Sequence, residues 1–348
     1  MKKGRLIILD QIDGLDCAAL IDNGLLTDFL VDPQHTGPRP GTIYRAKTIR
    51  PMKGQNGIML DLGKGQTGYL RQAKGITAGE TLLVQVSTHA EGPKASPVSP
   101  KLLFKSRYCI VTPHAPGLNV ARKIRDEDER DRLLELAHEA LEGADESLGL
   151  IVRSVSEGVD AAAVFEDISA MRNAAEMVLA QPLGEPALLR EAESAAQVAW
   201  REWVDPDPDD VMQDKGGLEL LGFRDSIDAL LTPNAFLSGG AWMAIEPTSA
   251  LVAVDVNTGS DTSFAAGLKT NLVAARDLPR QLRLRGLGGQ IVVDFAPMAR
   301  KDQRQVEQVL RAGFKADGIE TALVGWTGLG HFELQRKRER LPLSELLQ

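Results

Sequence analysis

The sequence predicts a mixed α+β protein of several subdomains, and three observations lead to this fold class. The chain has 348 residues, 43% of them hydrophobic, which is enough for more than one buried core. Between residues 41 and 86, short Val-, Ile- and Leu-rich runs alternate with glycines, which is typical of a small closed β-barrel. In the last third, strand-like and helical patterns alternate, which predicts an α/β layer.

The elements before the last third follow from local patterns. Residues 5–31 predict short strands, because Asp13-Gly14 and Asn23-Gly24 favour tight hairpin turns. Prolines at 33, 38 and 40 mark a linker, and residues 91–100 predict a loop because they are rich in Gly, Pro and Ser. Apolar spacing predicts strands at 102–111 and 149–153 and helices at 126–141, 160–179 and 185–203.

The same reasoning divides the last third into elements. It predicts strands at 251–256, 290–295 and 321–324, helices at 264–285 and 301–316, and a basic helix or strand-helix at 329–340.

Composition narrows the class of protein. The only cysteines are Cys17 and Cys109, which excludes a disulfide scaffold and a cysteine-based zinc site. There is no uncharged apolar run of membrane-spanning length, and Asp10 interrupts the apolar N-terminal stretch too early for a signal peptide. We therefore expect a cytoplasmic protein with no membrane partner.

Charge is distributed unevenly along the chain. The net charge is −8, but residues 39–125 contain 15 Lys/Arg against 3 Asp/Glu, whereas residues 157–228 contain 17 Asp/Glu against 5 Lys/Arg. Local positive charge is what binding to nucleic acid phosphates requires, so the first segment indicates a surface for a polyanion. The alternative is that the subdomains differ in charge without a binding role.

Two predicted strands each end in an aspartate. Leu251–Val256 contains Asp255, Asn257 follows on the same face, and Gln290–Phe295 contains Asp294. Ligands of α/β sheets usually bind at the carboxyl ends of strands, and two converging carboxylates favour a hard cation such as Mg²⁺. The alternative is that each aspartate caps a following loop or helix.

An arginine stripe lies between these two strands. Arg276, Arg280 and Arg283 recur at helical spacing, so they form either a solvated helix face or contacts to RNA phosphates. The histidines lack ligand spacing, so we predict no histidine catalysis and interpret His331 as a surface residue.

Several motifs together resemble the ribonuclease E/G family. The resemblance rests on Leu251–Gly259, on Lys269-Thr270-Asn271 and the following helix to Gly289, and on Ile291–Phe295. It extends to both ends of the chain. It implies an RNase H-like subdomain at residues 1–38 plus 172–230, an S1-type OB barrel at 39–100, a 5′-sensor subdomain at 101–171, and a DNase I-like catalytic subdomain at 231–348.

The resemblance also implies residue roles. Asp255 and Asp294 would hold Mg²⁺ and Asn257 would support them, so that a water attacks single-stranded RNA and leaves 5′-phosphate and 3′-hydroxyl ends. For RNA binding it implies Tyr69, Met59 (where the family has an aromatic residue) and Lys94. The implied sensor of a 5′-monophosphate consists of Arg153, Ser154, Gly117 and Val120.

This chain departs from the family pattern in several places. Pro297 follows Asp294 where the family has a second acid, and the segment Trp326–Gly330 lacks the family's second sensor arginine. No cysteine follows Cys109, so we expect no zinc and no zinc-linked dimer, and instead a monomer or weak dimer.

The leading hypothesis is a compact Mg²⁺-dependent endoribonuclease acting on single-stranded, A/U-rich RNA in rRNA processing or mRNA decay. One alternative is an RNA-binding protein of the same fold with weak or no cleavage, suggested by Met59. Another is a Mg²⁺ phosphoesterase for a small substrate, which the basic barrel argues against.

Overall fold

The chain divides into two units, each with its own core. The computed structural model describes residues 4–34, 37–52, 54, 56–72, 74–90, 92, 94–261, 263 and 265–347. The first unit comprises residues 1–34 and 207–348, and the second comprises residues 35–206.

The strands and helices are numbered in chain order. The strands are β1 (Arg5–Ile12), β2 (Leu15–Asp22), β3 (Leu25–Val31), β4 (Ile43–Met52), β5 (Gly57–Gly63), β6 (Gln66–Arg71), β7 (Thr81–Val86), β8 (Ser96–Ser99), β9 (Phe104–Lys105), β10 (Cys109–Pro113), β11 (Gly117–Val120), β12 (Leu148–Val152), β13 (Ala187–Arg190), β14 (Asp210–Met212), β15 (Asn234–Phe236), β16 (Trp242–Pro247), β17 (Val252–Asn257), β18 (Gly289–Asp294), β19 (Thr321–Trp326) and β20 (Phe332–Arg336). The helices are α1 (Glu127–Ala140), α2 (Ala161–Leu179), α3 (Ala195–Glu202), α4 (Gly217–Leu220), α5 (Arg224–Asp228), α6 (Ala266–Leu284), α7 (Gln303–Asp317) and α8 (Leu343–Leu346).

A four-stranded sheet of order β14-β1-β2-β3 opens the first unit. Its two hairpins turn at Asp13-Gly14 and Asn23-Gly24, where all four residues have positive φ, between 50° and 81°. That geometry is the two-residue turn that matches strand twist, so the hairpin prediction is confirmed. β14 joins β1 in parallel from more than 190 residues further along the chain, a pairing that local patterns do not encode.

A closed five-stranded barrel forms part of the second unit. Its order is β4-β5-β6-β8-β7, and β7 pairs back onto β4. The predicted barrel is confirmed, but its strands differ: residues 43–52 form one strand, and β8 lies in the stretch predicted as a loop. In β8, Val98 is buried in the barrel core. The surrounding Ser and Pro residues are typical of a loop, so the sequence pattern does not predict this strand.

A second sheet, of order β11-β12-β10-β9, shares a core with α1 and α2. The predicted subdomain boundary at residues 171 and 172 falls inside α2, whose buried residues on both sides of it belong to this one core. The helix predicted at 185–203 is wrong in its first half: residues 187–190 pair with β4, and α3 begins only after Ser194. Ser194 and Gln197 form a capping box, which fixes that start.

The C-terminal sheet has the order β15-β16-β17-β18-β20-β19. β17 and β18 are parallel and are connected through α6, and the other neighbours are antiparallel. Alternate residues of the sheet, together with residues of α6 and α7, form the core, and this confirms the predicted α/β layer. The opposite face of the central strands carries exposed or half-buried side chains, and we call it the open face.

Two expectations concern the ends of elements. The predicted 264–285 helix is observed as α6 from Ala266, and residue 264 lies outside the described residues. The basic segment 329–340 contains a strand, β20. Among the described residues, no helix has the length and apolar character needed to span a membrane.

Candidate active site

Asp255 and Asp294 occupy matching positions on neighbouring parallel strands. They are direct register partners of β17 and β18, so their side chains leave the same face of the sheet, with their backbones about 4.8 Å apart. Both side chains are exposed on the open face, while their neighbours Val254, Val256 and Val293 point into the core. We call Asp255 and Asp294 the acidic pair.

Asn257 supports one member of this pair. It lies two residues after Asp255 on the same face, and its Nδ2 donates a hydrogen bond of 2.9 Å to Asp255 Oδ2. The bond uses Oδ2 of the Asp255 carboxylate and favours the orientation in which this oxygen faces Asn257. The structure therefore brings together the three residues that the sequence singled out for catalysis.

Asn271 is a supporting residue whose role the sequence alone did not reveal. It is fully buried in α6, where its Nδ2 donates to Ala296 O at 2.8 Å and its Oδ1 accepts from Ala296 N at 3.0 Å. This two-way bond fixes the chain two residues after Asp294 to the helix. An asparagine on an otherwise apolar helix face was the available signal, because a buried amide must be hydrogen-bonded.

His331 is the second residue whose place was not predicted. Val293 pairs with Phe332, which puts His331 beside Asp294, and the two side chains approach to 3.9 Å between Nε2 and Oδ1. His331 is 36% exposed, so its position on the surface agrees with the sequence interpretation, but it lies next to the acidic pair. The position of His331 beside Asp294 depends on the register of an antiparallel strand far along the chain, so no local motif could predict it.

The acidic pair fits a hard divalent cation. Two like charges on adjacent strands repel, and among the described residues the one basic side chain within 4.0 Å of either carboxylate is His331. Within the described part of the chain, there is no group of three or more His, Cys, Asp or Glu side chains arranged as metal ligands. Two carboxylates leave the remaining positions to water and a substrate phosphate, which is how proteins usually hold Mg²⁺.

The arginine stripe has a different role from the predicted RNA contact. Arg280 pairs with Asp277 at 2.6 Å and donates to Leu26 O, and Arg283 pairs with Asp317 and donates to Thr27 O. Both side chains are about 80% buried and hold α6 against β3. We therefore correct the prediction for Arg280 and Arg283: their donors satisfy groups inside the protein. On this helix only Arg276 of the stripe is exposed.

On the barrel, Met59 and Tyr69 are direct cross-strand partners. Both are half-buried on the outer surface, and Arg50 and Pro97 continue the same row across β4 and β8. The Tyr69 ring lies over Gly57, where a Cβ would come within 2.5 Å of ring carbons, so Gly57 makes room for the aromatic side chain. Lys94 is exposed just before β8.

The residues of the expected 5′-sensor are only partly together. Val120 pairs with Val152, directly before Arg153 and Ser154, but Gly117 pairs with Gly149 at the other end of β11. Arg153 donates to Ser106 O at 2.7 Å and to Glu202 Oε2 at 2.8 Å, and Glu202 Oε1 also pairs with Arg201. The guanidinium of Arg153 is therefore already paired with a carboxylate.

Comparison with known proteins decides the family. A model of the Ribonuclease E/G family matches residues 104–218 and 214–339, which together cover more than half of the chain. The chain belongs to the ribonuclease E/G family. The match includes the acidic pair, Asn257 and Asn271.

Individual relatives extend the similarity. The chain is 31% identical to ribonuclease E of Nostoc sp. over 335 residues, covering 84% of this chain and 48% of that protein. It is 26% identical to ribonuclease G of Escherichia coli K12 over 399 residues, covering 94% and 79%. Ribonuclease E of Synechocystis sp. is 29% identical over 306 residues, covering 77% and 45%. The chain thus spans about half the length of the two ribonuclease E proteins.

Proposed function

We propose that this chain is an endoribonuclease that cleaves single-stranded RNA with Mg²⁺ and leaves 5′-phosphate and 3′-hydroxyl ends. The acidic pair is the observation that carries the proposal, because Asp255 and Asp294 face the same side at matching positions of adjacent strands. Membership of the ribonuclease E/G family supplies the class of reaction.

We assign the following roles to the residues of the site. When bound, Mg²⁺ offsets phosphate charge and lowers the pKa of a water molecule. Asp255 and Asp294 would hold the ion, Asn257 would orient Asp255, and Asn271 would keep the segment after Asp294 in place. A water oxygen would form the new bond to phosphorus while the bond to the 3′-oxygen breaks. The water proton passes to solvent, and the departing 3′-oxygen takes a proton from solvent to become the 3′-hydroxyl. The two products therefore carry a 5′-phosphate and a 3′-hydroxyl.

The barrel surface supports single-stranded RNA as the substrate. Tyr69 and Met59 are neighbours on the outside of the barrel, with Arg50 in the same row and Lys94 exposed close to β8. Aromatic stacking combined with positive charge binds single strands with little sequence preference. We propose these residues as RNA contacts, with A/U-rich RNA of rRNA maturation or mRNA decay in the cytoplasm as the substrate.

We propose that sensing of a 5′-monophosphate is weak in this chain. Arg153, Ser154 and Val120 are close together, but the Arg153 guanidinium, which a terminal phosphate would need, already pairs with Glu202. Gly117 lies at the far end of its strand and is not part of this group.

The test is an Asp255→Asn variant compared with Glu246→Gln, an exposed acid on the same face of the neighbouring strand. A 5′-monophosphorylated single-stranded oligonucleotide is incubated with and without EDTA, and the product ends are mapped. We expect cleavage in Mg²⁺, none in EDTA, none by Asp255→Asn, and normal cleavage by Glu246→Gln. Full activity of Asp255→Asn, or cleavage that ignores EDTA, would contradict the proposal.

Met59, and the paired state of Arg153, favour one second candidate: an RNA-binding protein of this fold that cleaves weakly or not at all. Tight binding of the same oligonucleotide without cleavage in Mg²⁺ would support that candidate.

A further inference from the structure

The open face of the C-terminal sheet carries two aromatic residues beside the acidic pair. Phe236, Trp242 and Asn257 are register partners across β15, β16 and β17, so their side chains form one row on this face. The next row on the same face contains the acidic pair. Trp242 is half-buried, and Phe236 is 79% exposed, an unusual state for a phenylalanine in a strand.

Register fixes how far the backbone positions of these two aromatic residues lie from Asp255. Trp242 pairs with Asn257, two residues from Asp255, so it is a diagonal neighbour of Asp255 at about 7–8 Å. Phe236 lies one strand further, which adds about 4.8 Å. A nucleotide adjacent to a phosphate bound at the acidic pair would therefore reach both rings.

Charge indicates which part of an RNA strand this surface accepts. In the next exposed row, Glu246 and Glu333 lie on either side of Ala253 and Val292, so this row offers a phosphate no cation. The aromatic row carries no charge, and the exposed ring of Phe236 offers a flat apolar surface. Such a surface suits the face of a nucleobase.

We propose that Phe236 and Trp242 form a base-stacking surface for one nucleotide next to the cleaved phosphodiester. The inference rests on the proposed function, and it assigns a substrate-positioning role to two residues outside the acidic pair. Stacking there holds the strand across the ends of β17 and β18 and adds to the contacts proposed on the barrel.

The first experiment measures stacking separately from cleavage. The full chain carrying Asp255→Asn is mixed with oligonucleotides that contain 2-aminopurine at successive positions around the mapped cleavage site. We expect quenching of its fluorescence at one position, loss of that quenching with Phe236→Ala, and recovery with Phe236→Tyr. Val324→Ala, which alters another exposed apolar side chain of this sheet (65% exposed), should leave the quenching unchanged.

The second experiment uses the cleavage-competent chain. Phe236→Ala should raise KM about tenfold with little change in kcat, and an oligonucleotide lacking the base at the identified position should abolish this difference. Phe236 is so exposed that its truncation should not alter the melting temperature.

Two results would overturn the proposal. One is quenching that Phe236→Ala leaves unchanged at every position. The other is a fall in sedimentation mass with Phe236→Ala, which would show that a second copy of the chain covers this ring. Activity of Asp255→Asn would instead contradict the proposed function, and the quenching experiment keeps the two failures apart.

Discussion

The acidic pair and Arg153 differ in how far other groups of the chain pair with their charges. Asp255 and Asp294 are exposed like charges, whose hydrogen-bonding capacity is only partly used within the chain. Arg153 is mostly buried and is paired with Ser106 O and Glu202. A charged residue at a functional position can therefore act on a ligand only if the fold has not already paired it with another group of the chain.

The largest effect should come from the acidic pair itself. We predict that Asp294→Asn slows cleavage more than about a hundredfold, because loss of a metal carboxylate removes several kcal/mol of transition-state stabilisation. The melting temperature should not fall, since the residue is exposed beside a like charge. Single-turnover cleavage and thermal unfolding are measured with Glu333→Gln as the control. If a loss of stability accounted for the loss of cleavage, Asp294 would have a structural role, and the prediction would be contradicted.

The next effect tests the corrected role of the arginine stripe. Arg283→Ala should lower the free energy of unfolding by about 3 kcal/mol, because it leaves the buried Asp317 with one fewer partner. RNA affinity should not change. Arg276→Ala, on the exposed face of the same helix, should leave stability intact. If Arg283→Ala weakened RNA binding at unchanged stability, the original prediction would stand.

Acid unfolding gives an independent readout of the same variant. Burial by itself would raise the pKa of Asp28, but Arg340 and Arg283 outweigh it and hold this pKa below its ordinary value. A carboxylate with a lowered folded-state pKa contributes stability that is present above its ordinary pKa and lost as the pH falls through the folded value. Arg283→Ala should therefore move acid unfolding to higher pH.

A smaller effect distinguishes the two asparagines near the site. Asn271→Ala should cost about 1–3 kcal/mol of stability and also reduce cleavage, because it leaves both backbone groups of the buried Ala296 without their partner. Asn257→Ala should reduce cleavage with little change in stability, since that amide is near the surface. Equal effects of the two variants on unfolding would contradict this distinction.

The smallest effect should come from releasing Arg153. Glu202→Gln removes the negative charge from its guanidinium, and we predict that the preference for 5′-monophosphate over 5′-hydroxyl RNA rises about two- to fivefold from a weak starting value. Cleavage rates on the two oligonucleotides give the ratio, and Glu193→Gln, which removes a carboxylate paired with Arg201, is the matched control. A strong preference in the unaltered chain would show that Glu202 does not block the guanidinium.

Local sequence patterns determined a large part of this protein. Turn chemistry and side-chain periodicity operate over a few residues, and they predict the Asp-Gly and Asn-Gly turns, the barrel, the α/β layer and the strands that carry Asp255 and Asp294. The long family motif also lies in the sequence itself. These features needed no knowledge of distant contacts.

The tertiary structure alone decided which distant residues meet. The register of β17 on β18 sets the two carboxylates directly opposite, the β20 pairing puts His331 beside Asp294, and β15 adds the aromatic row. The strands at 96–99 and 187–190 are defined by their partners, because their own patterns are short and polar or resemble a helix. The sequence shows which residues are arginines, but the acceptors that pair with Arg280, Arg283 and Arg153 come from elsewhere in the fold. For this reason the sequence alone suggested that these three side chains could bind a ligand.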